Sequence, residues 1–210
     1  MTDFTDAHCL CESSKSTIRA RVLSARSRVD AARRASANAA LRTELVALVR
    51  STLGDPPIIV GYVPLPTEPG GADLPDQLAN ATRPCRLLLP VLLPDGDLDW
   101  APYEGPDALR PGRYGLREPA GRRLGVAAIA AARLVIVPAV AVDLTGIRLG
   151  HGGGSYDRAL ARVPPGVEIV APLFSGELLQ HIPAEPHDRA VTTALVADPA
   201  GIRTVRLTPR

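Results

Sequence analysis

Apolar residues recur one helical turn apart at Ile18, Val22, Ala25 and Val29, so the spacing predicts a helix from Ser13 to about Val29, with a serine available to cap its first amides. A second periodic stretch predicts a helix from Ala31 to Leu53 that stops at Gly54-Asp55-Pro56-Pro57. The pattern then changes to short continuous apolar runs. PIIVGYVPL (57–65) and CRLLLPVLL (85–93) predict buried strands, with a brief helix over Leu74–Ala81 between them. Residues 94–121, rich in Pro, Gly and Asp, predict a long structured surface loop. LVIVPAVAV (134–142) predicts a central strand, Ser155 to Val163 a helix, VEIVAPL (167–173) a strand, and TTALVAD (192–198) a short last strand. Strands alternating with helices imply an α/β fold of three layers, a mainly parallel sheet flanked by helices.

One apolar run needs separate treatment. Residues 124–144, LGVAAIAAARLVIVPAVAVDL, are nearly long enough to span a bilayer, but Arg133 sits at the middle and Pro138 interrupts the run. The reading is a soluble helix entering a buried strand, with no membrane partner. A chain of 210 residues with 46% hydrophobic and 22% charged residues and a net charge of +2 suits an ordinary folded domain. Nucleic-acid binding gets no support from that charge. We expect a short N-terminal tail (1–12), then a single domain (13–210). Three cysteines, Cys9, Cys11 and Cys85, give an odd count without CxxC spacing, so a reducing, cytoplasmic setting is expected rather than a disulfide framework. His8-Cys9-x-Cys11 falls short of a closed four-ligand metal site.

The chemistry concentrates in RLGHGGGSYDRAL (148–160), where every residue from Gly150 to Gly154 except His151 is glycine. Ordering glycines is entropically costly, and a bound ligand would offset that cost. The order strand, glycine loop, helix exposes backbone N–H groups to an anion. It is not a Walker A loop, because no lysine is present, and it departs from GxGxxG because Ser155 takes the third glycine position. Arg148, Tyr156 and Asp157 would supply a cation, a ring and a Mg²⁺ ligand beside it. Lys15 is the only lysine among 24 basic residues. With Arg19, four residues on, it places positive charge near a helix start, against the macrodipole, a conflict that a polyphosphate would remove.

These residues carry a resemblance. VPAVAVDLTGIRLGHGGGSYDRAL, together with KSTIR, YVPLPTEP, LLLPV, RYGLREP and IPAEPHD in the same order, resembles the 5-formyltetrahydrofolate cyclo-ligase (5,10-methenyltetrahydrofolate synthetase) family. The resemblance implies a Rossmann-like architecture of the sugar-phosphate isomerase and CoA-transferase type. It implies a monomeric cytoplasmic ligase that uses ATP and Mg²⁺ to convert 5-formyltetrahydrofolate, with or without a polyglutamate tail, into 5,10-methenyltetrahydrofolate. ATP would be held by Lys15, Arg19, Arg148, Leu149, Gly150, His151, Gly152, Gly153, Gly154, Ser155 and Tyr156. Folate would meet Glu68, Pro90, Tyr114 and Tyr156, and Mg²⁺ would be held by Asp157 and Asp188. Lys15, Arg148 and Tyr156 are the implied catalytic groups. The chain departs from the family pattern at Ser155, usually a second tyrosine, at Gly176-Glu177, where a glutamine is common, and at Pro69-Gly70-Gly71. A nucleotide- or folate-binding protein without turnover is the alternative reading, and a dinucleotide enzyme is disfavoured by Ser155.

Overall fold

The computed structural model describes residues 14–52, 57–81 and 86–208. The expected N-terminal tail, with Cys9 and Cys11, and Cys85 lie outside the described residues. The chain opens with α1 (Lys15–Ser27) and α2 (Ala31–Ser51). Ser14 caps the first by accepting from the Thr17 amide, and Asp30 caps the second by accepting from Arg33. Then come β1 (Ile58–Val60), α3 (Leu74–Ala81), β2 (Arg86–Leu92), β3 (Leu98–Pro102), β4 (Leu109–Pro111), β5 (Arg117–Pro119), β6 (Leu134–Ile136), β7 (Ala141–Asp143), β8 (Arg148–Leu149), α4 (Ser155–Leu160), β9 (Glu168–Phe174), β10 (Leu178–Leu179), β11 (Thr193–Asp198) and β12 (Gly201–Arg206).

Seven strands form the central sheet in the order β12-β11-β9-β6-β1-β2-β3. Its inner pairings are parallel, and only the two edge strands, β3 and β12, run antiparallel to their neighbours. Successive residues of the inner strands point to opposite faces, and both faces are covered. Leu87 and Leu89 join Leu41, Leu45 and Val49 of α2 and Leu74 and Leu78 of α3 on one side. Leu88 joins Trp100, Ile129, Ala159 and Leu160 on the other. α1 packs elsewhere, with Ile18 and Val22 against Val140, Ala141 and Leu149 of a second, three-stranded sheet, β10-β7-β8. No helix among the described residues is long and apolar enough to cross a membrane.

The expected central strand over 134–142 divides in two. β6 stays in the main sheet as far as Val137, whose amide still bonds the Val170 carbonyl at 2.9 Å. Pro138 then has no N–H to continue the ladder, and the chain leaves to form β7 in the second sheet. The predicted helix before β6 is a 3₁₀ segment, Val126–Ala131. Residues 94–121 are not one loop: they hold β3, paired with β2, and the β4–β5 hairpin. α4 ends at Leu160, short of Val163. The strand at 192–198 is not the last, since β12 follows it as a hairpin partner.

The β2–β3 turn is fastened to the helical layer. Arg162, just beyond α4, donates to Asp97 Oδ1 at 3.0 Å, and this bond, opposed by the burial of the carboxyl, holds the Asp97 pKa below the ordinary value. A depressed carboxylate pKa adds stability that is complete above the unfolded value near pH 4 and lost as the pH falls through the folded value. Asp97→Asn should therefore lower the melting temperature by about 2 °C at pH 7. The two proteins should converge as thermal melts are taken into strong acid; a deficit that persists unchanged there would remove the ion pair as its cause.

Candidate functional site

The order of the parallel strands fixes where a ligand can sit. From β1 the chain goes next to β2 on one side, whereas β6, β9 and β11 extend the sheet on the other, so the connections leaving β1 and β6 part company and open a crevice. Both connections line one cleft of about 820 Å³: Tyr62 to Glu68 after β1, and Pro138 to Val140 after β6. The second sheet delivers Arg148 and the glycine loop to the same cleft, and the start of α1 delivers Lys15 and Arg19. Every residue expected to bind or catalyse therefore lines one cavity: Lys15, Arg19, Glu68, Pro90, Tyr114, the run from Arg148 to Asp157, and Asp188.

The glycine loop is built to lack side chains. Gly152 and Gly154 have φ of +102° and +66°, conformations costly for any residue with a Cβ. At Gly150 a Cβ would come within 2.7 Å of Arg148 Nη1. Gly153 differs: its φ is ordinary, and a Cβ there would meet only Ser155 Oγ, at 3.5 Å. The start of the loop is attached to two distant elements. Arg19 Nε donates to the Gly150 carbonyl at 2.7 Å, and His151 Nε2 lies 3.2 Å from Glu68 Oε1.

The cations here already have partners. Lys15 Nζ donates to Asp188 Oδ2 at 2.7 Å and to Glu185 Oε2 at 2.8 Å. Partial burial works against its ammonium, but the two carboxylates outweigh that and hold its pKa above the usual lysine value. They also relieve the conflict with the α1 macrodipole that the sequence led us to expect, so Lys15 is half-buried rather than free. Arg148, only 5% exposed, reaches both Asp157 oxygens at 3.2 Å and lies over the Tyr156 ring, 5.4 Å from its centroid. Its Nε and the Tyr156 hydroxyl are buried without a hydrogen-bond partner among the described residues. Burial, reinforced by the nearby Glu68 charge, pushes the Tyr156 phenol well up, so it stays a neutral O–H donor.

On the opposite wall Glu68 is held by its own turn, with Oε2 accepting from the Leu65 amide at 2.9 Å and its amide donating back to the Leu65 carbonyl. Tyr62 secures the following segment by donating to the Pro69 carbonyl at 2.5 Å, and Asn38 of α2 accepts from the Gly70 amide. Tyr114 stands at the rim, 78% exposed, and is the only non-glycine residue with positive φ among those described.

Sequence reasoning missed Glu185, His187 and Tyr62 as cleft residues. Glu185 and His187 sit in an irregular segment with no periodic signal, and only the fold brings Glu185 against Lys15, with His187 beside Glu185. Glu177, noted above as a departure, is not in the cleft. It forms a buried pair with Arg26 of α1, Nε to Oε1 at 2.8 Å, and Arg26 also donates to the Ala139 carbonyl at 3.0 Å. Burial raises the Glu177 pKa, against the pull of Arg26.

Comparison with known proteins gives the family and the fold. The 5-formyltetrahydrofolate cyclo-ligase family matches residues 11–197. A 5-formyltetrahydrofolate cyclo-ligase of Mycolicibacterium smegmatis is 39% identical over 187 residues, 87% of this chain and 93% of that protein. The chain belongs to the 5-formyltetrahydrofolate cyclo-ligase family. It is thus an enzyme of the ligase class. The NMR structure of Aquifex aeolicus 5,10-methenyltetrahydrofolate synthetase superposes with a TM-score of 0.72 at 26% identity, covering 92% of each chain. A 5,10-methenyltetrahydrofolate synthetase of Mycoplasma pneumoniae shares the fold, with a TM-score of 0.68 at 17% identity over 88% of this chain and 98% of that one.

The Mg²⁺ that the sequence resemblance implies requires oxygen donors. Asp157 and Asp188 are brought close, since the amide of Arg189, next to Asp188, points at Asp157 Oδ1 at 3.4 Å. Ligand atoms of Glu185, His187 and Asp188 lie within 4.8 Å of one another. A set dominated by carboxylate oxygens fits Mg²⁺.

Proposed function

We propose that this protein converts 5-formyltetrahydrofolate to 5,10-methenyltetrahydrofolate with consumption of ATP, as a cytoplasmic monomer. The observation that carries the reading is the convergence of Lys15, Arg19, Arg148 and a side-chain-free backbone loop on one cleft, facing Glu68 and Tyr156. The triphosphate lies along the loop, with the amides of Gly152 to Gly154 and the unpartnered Arg148 Nε as donors. The reduced pterin lies between Glu68, Pro90 and Tyr156, with Tyr114 closing the rim.

The chemistry asks for little beyond position and charge. The formyl oxygen is a poor leaving group, so it attacks the γ-phosphorus, and the bond from that phosphorus to the ADP oxygen breaks. N10 of the folate adds to the activated formyl carbon and loses its proton. The carbon–oxygen bond then breaks, and phosphate leaves carrying the former formyl oxygen. Lys15 and Arg148 neutralise charge gathering on the transferred group, and their present carboxylate partners show that both can hold anionic oxygens at close range. Mg²⁺ would be held by Asp157 and Asp188 and would supply positive charge for the transferring phosphate. Tyr156, as a neutral donor, orients the formyl oxygen, and no protein nucleophile is needed.

The test is incubation of purified protein with Mg-ATP and 5-formyltetrahydrofolate carrying ¹⁸O in the formyl group. Methenyl product should form with one ADP, and the label should appear in inorganic phosphate. Binding of both ligands without product would support a non-catalytic binding protein instead; product with the label left in water would overturn phosphorylation of the formyl oxygen.

A further inference from the structure

Arg158 follows Asp157 and lines the same cleft. Its Nη2 donates to two backbone carbonyls, Gly96 in the β2–β3 turn at 2.6 Å and Gly153 in the glycine loop at 3.2 Å. Two absent side chains make room for it. A Cβ at Gly96 would lie 2.8 Å from Nη2, and one at Gly154 would lie 3.1 Å from Nη1. The guanidinium is therefore seated between glycines of two separate segments and joins them. Arg162 fastens the same turn through Asp97, so turn, loop and α4 are connected as one unit.

We propose that Arg158 is a positioning residue for nucleotide binding, fixing the peptide planes of the glycine loop before ATP arrives; this rests on reading that loop as the triphosphate cradle. In a planar trans peptide the carbonyl of Gly153 and the N–H of Gly154 point in opposite directions, so holding one aims the other. Arg19 does the same for the Gly150 carbonyl and the His151 N–H. With a carbonyl held near each end, a segment of four glycines loses little further freedom on binding, and affinity is gained by preorganisation. The charge of Arg158 is directed at carbonyls, and the two N–H groups of the single Nη2 nitrogen, fixed in the guanidinium plane, let one group serve two strands of chain.

Titration calorimetry with a non-hydrolysable ATP analogue, alongside steady-state kinetics and thermal melts, tests this. Arg158→Ala should weaken nucleotide binding about tenfold, the scale of one charge-assisted hydrogen bond, with KM for the folate within about twofold of the parent. Arg158→Lys should not restore affinity, because the lysine ammonium ends one bond short of the Nη2 position between the two carbonyls. Gly96→Ala keeps the cation but pushes the guanidinium off its seat, and, because Gly96 has φ of +83°, it should also lower the melting temperature. It should weaken nucleotide binding as well, and the double variant with Arg158→Ala should be no weaker than Arg158→Ala alone. Affinity restored by lysine and untouched by Gly96→Ala would make Arg158 a plain charge for phosphate and overturn the positioning role. Parent-like affinity in Arg158→Ala would overturn it too. The cradle itself is judged separately by Gly153→Val, so the two ideas fail independently.

Discussion

Gly153→Val should fold normally and lose ATP binding by about 100-fold, the equivalent of two charge-assisted hydrogen bonds. The two halves of this expectation come from different observations. Folding survives because the backbone at 153 is in an ordinary region and the new Cβ meets only the Ser155 hydroxyl at van der Waals distance. Binding fails because the isopropyl group occupies the space through which phosphate oxygens reach the loop amides. Its neighbours make poorer tests: a side chain at Gly152 or Gly154 strains a left-handed backbone, and one at Gly150 strikes Arg148. Equal melting temperatures with a large fall in affinity would separate a ligand effect from damage to the fold. Parent-like ATP affinity would place the triphosphate elsewhere.

Lys15→Ala should reduce turnover by about 100- to 1000-fold, the range seen when one preorganised charge-stabilising donor is removed. The cleft loses its only ammonium and keeps Asp188 and Glu185, so negative charge is left where phosphate must approach. Stability should change by a few degrees at most, since Lys15 lies at the first turn of α1, and Ile18 and Val22 hold that helix to the second sheet. Lys15→Arg should recover part of the rate, because charge returns without the compact shape of the ammonium. Unchanged kcat and unchanged KM for ATP in Lys15→Ala would remove the residue from catalysis.

How much of this was legible in the sequence follows from what each signal measures. The first three helices were readable because periodicity and caps are local: Asp30 and Ser14 sit where the caps are needed, and Leu41, Leu45 and Val49 mark one buried face. The run 134–142 was misread because continuous hydrophobicity reports burial and says nothing about which sheet buries the residues; only Pro138 hinted at the break. β12 escaped because four of its six residues are exposed, so it carries no apolar signal. The glycine loop was legible by itself as a stretch of backbone without side chains between a strand and a helix. What it could not announce were the long-range attachments that shape it: Arg19 to Gly150, His151 to Glu68, and Arg158 to Gly96. Nor could sequence foresee that Lys15 would find carboxylates of residues 185 and 188.

The central claim is that the amides of the glycine loop receive the triphosphate. Titrating ¹⁵N-labelled protein with Mg-bound non-hydrolysable ATP and following the amide resonances of Gly152, Gly153 and Gly154 tests it directly. The account predicts large, saturable shifts at these three, with the same dissociation constant as calorimetry, and smaller changes at Gly105 and Gly201, which lie outside the cleft. Tight binding by calorimetry with the three loop amides unmoved would contradict it.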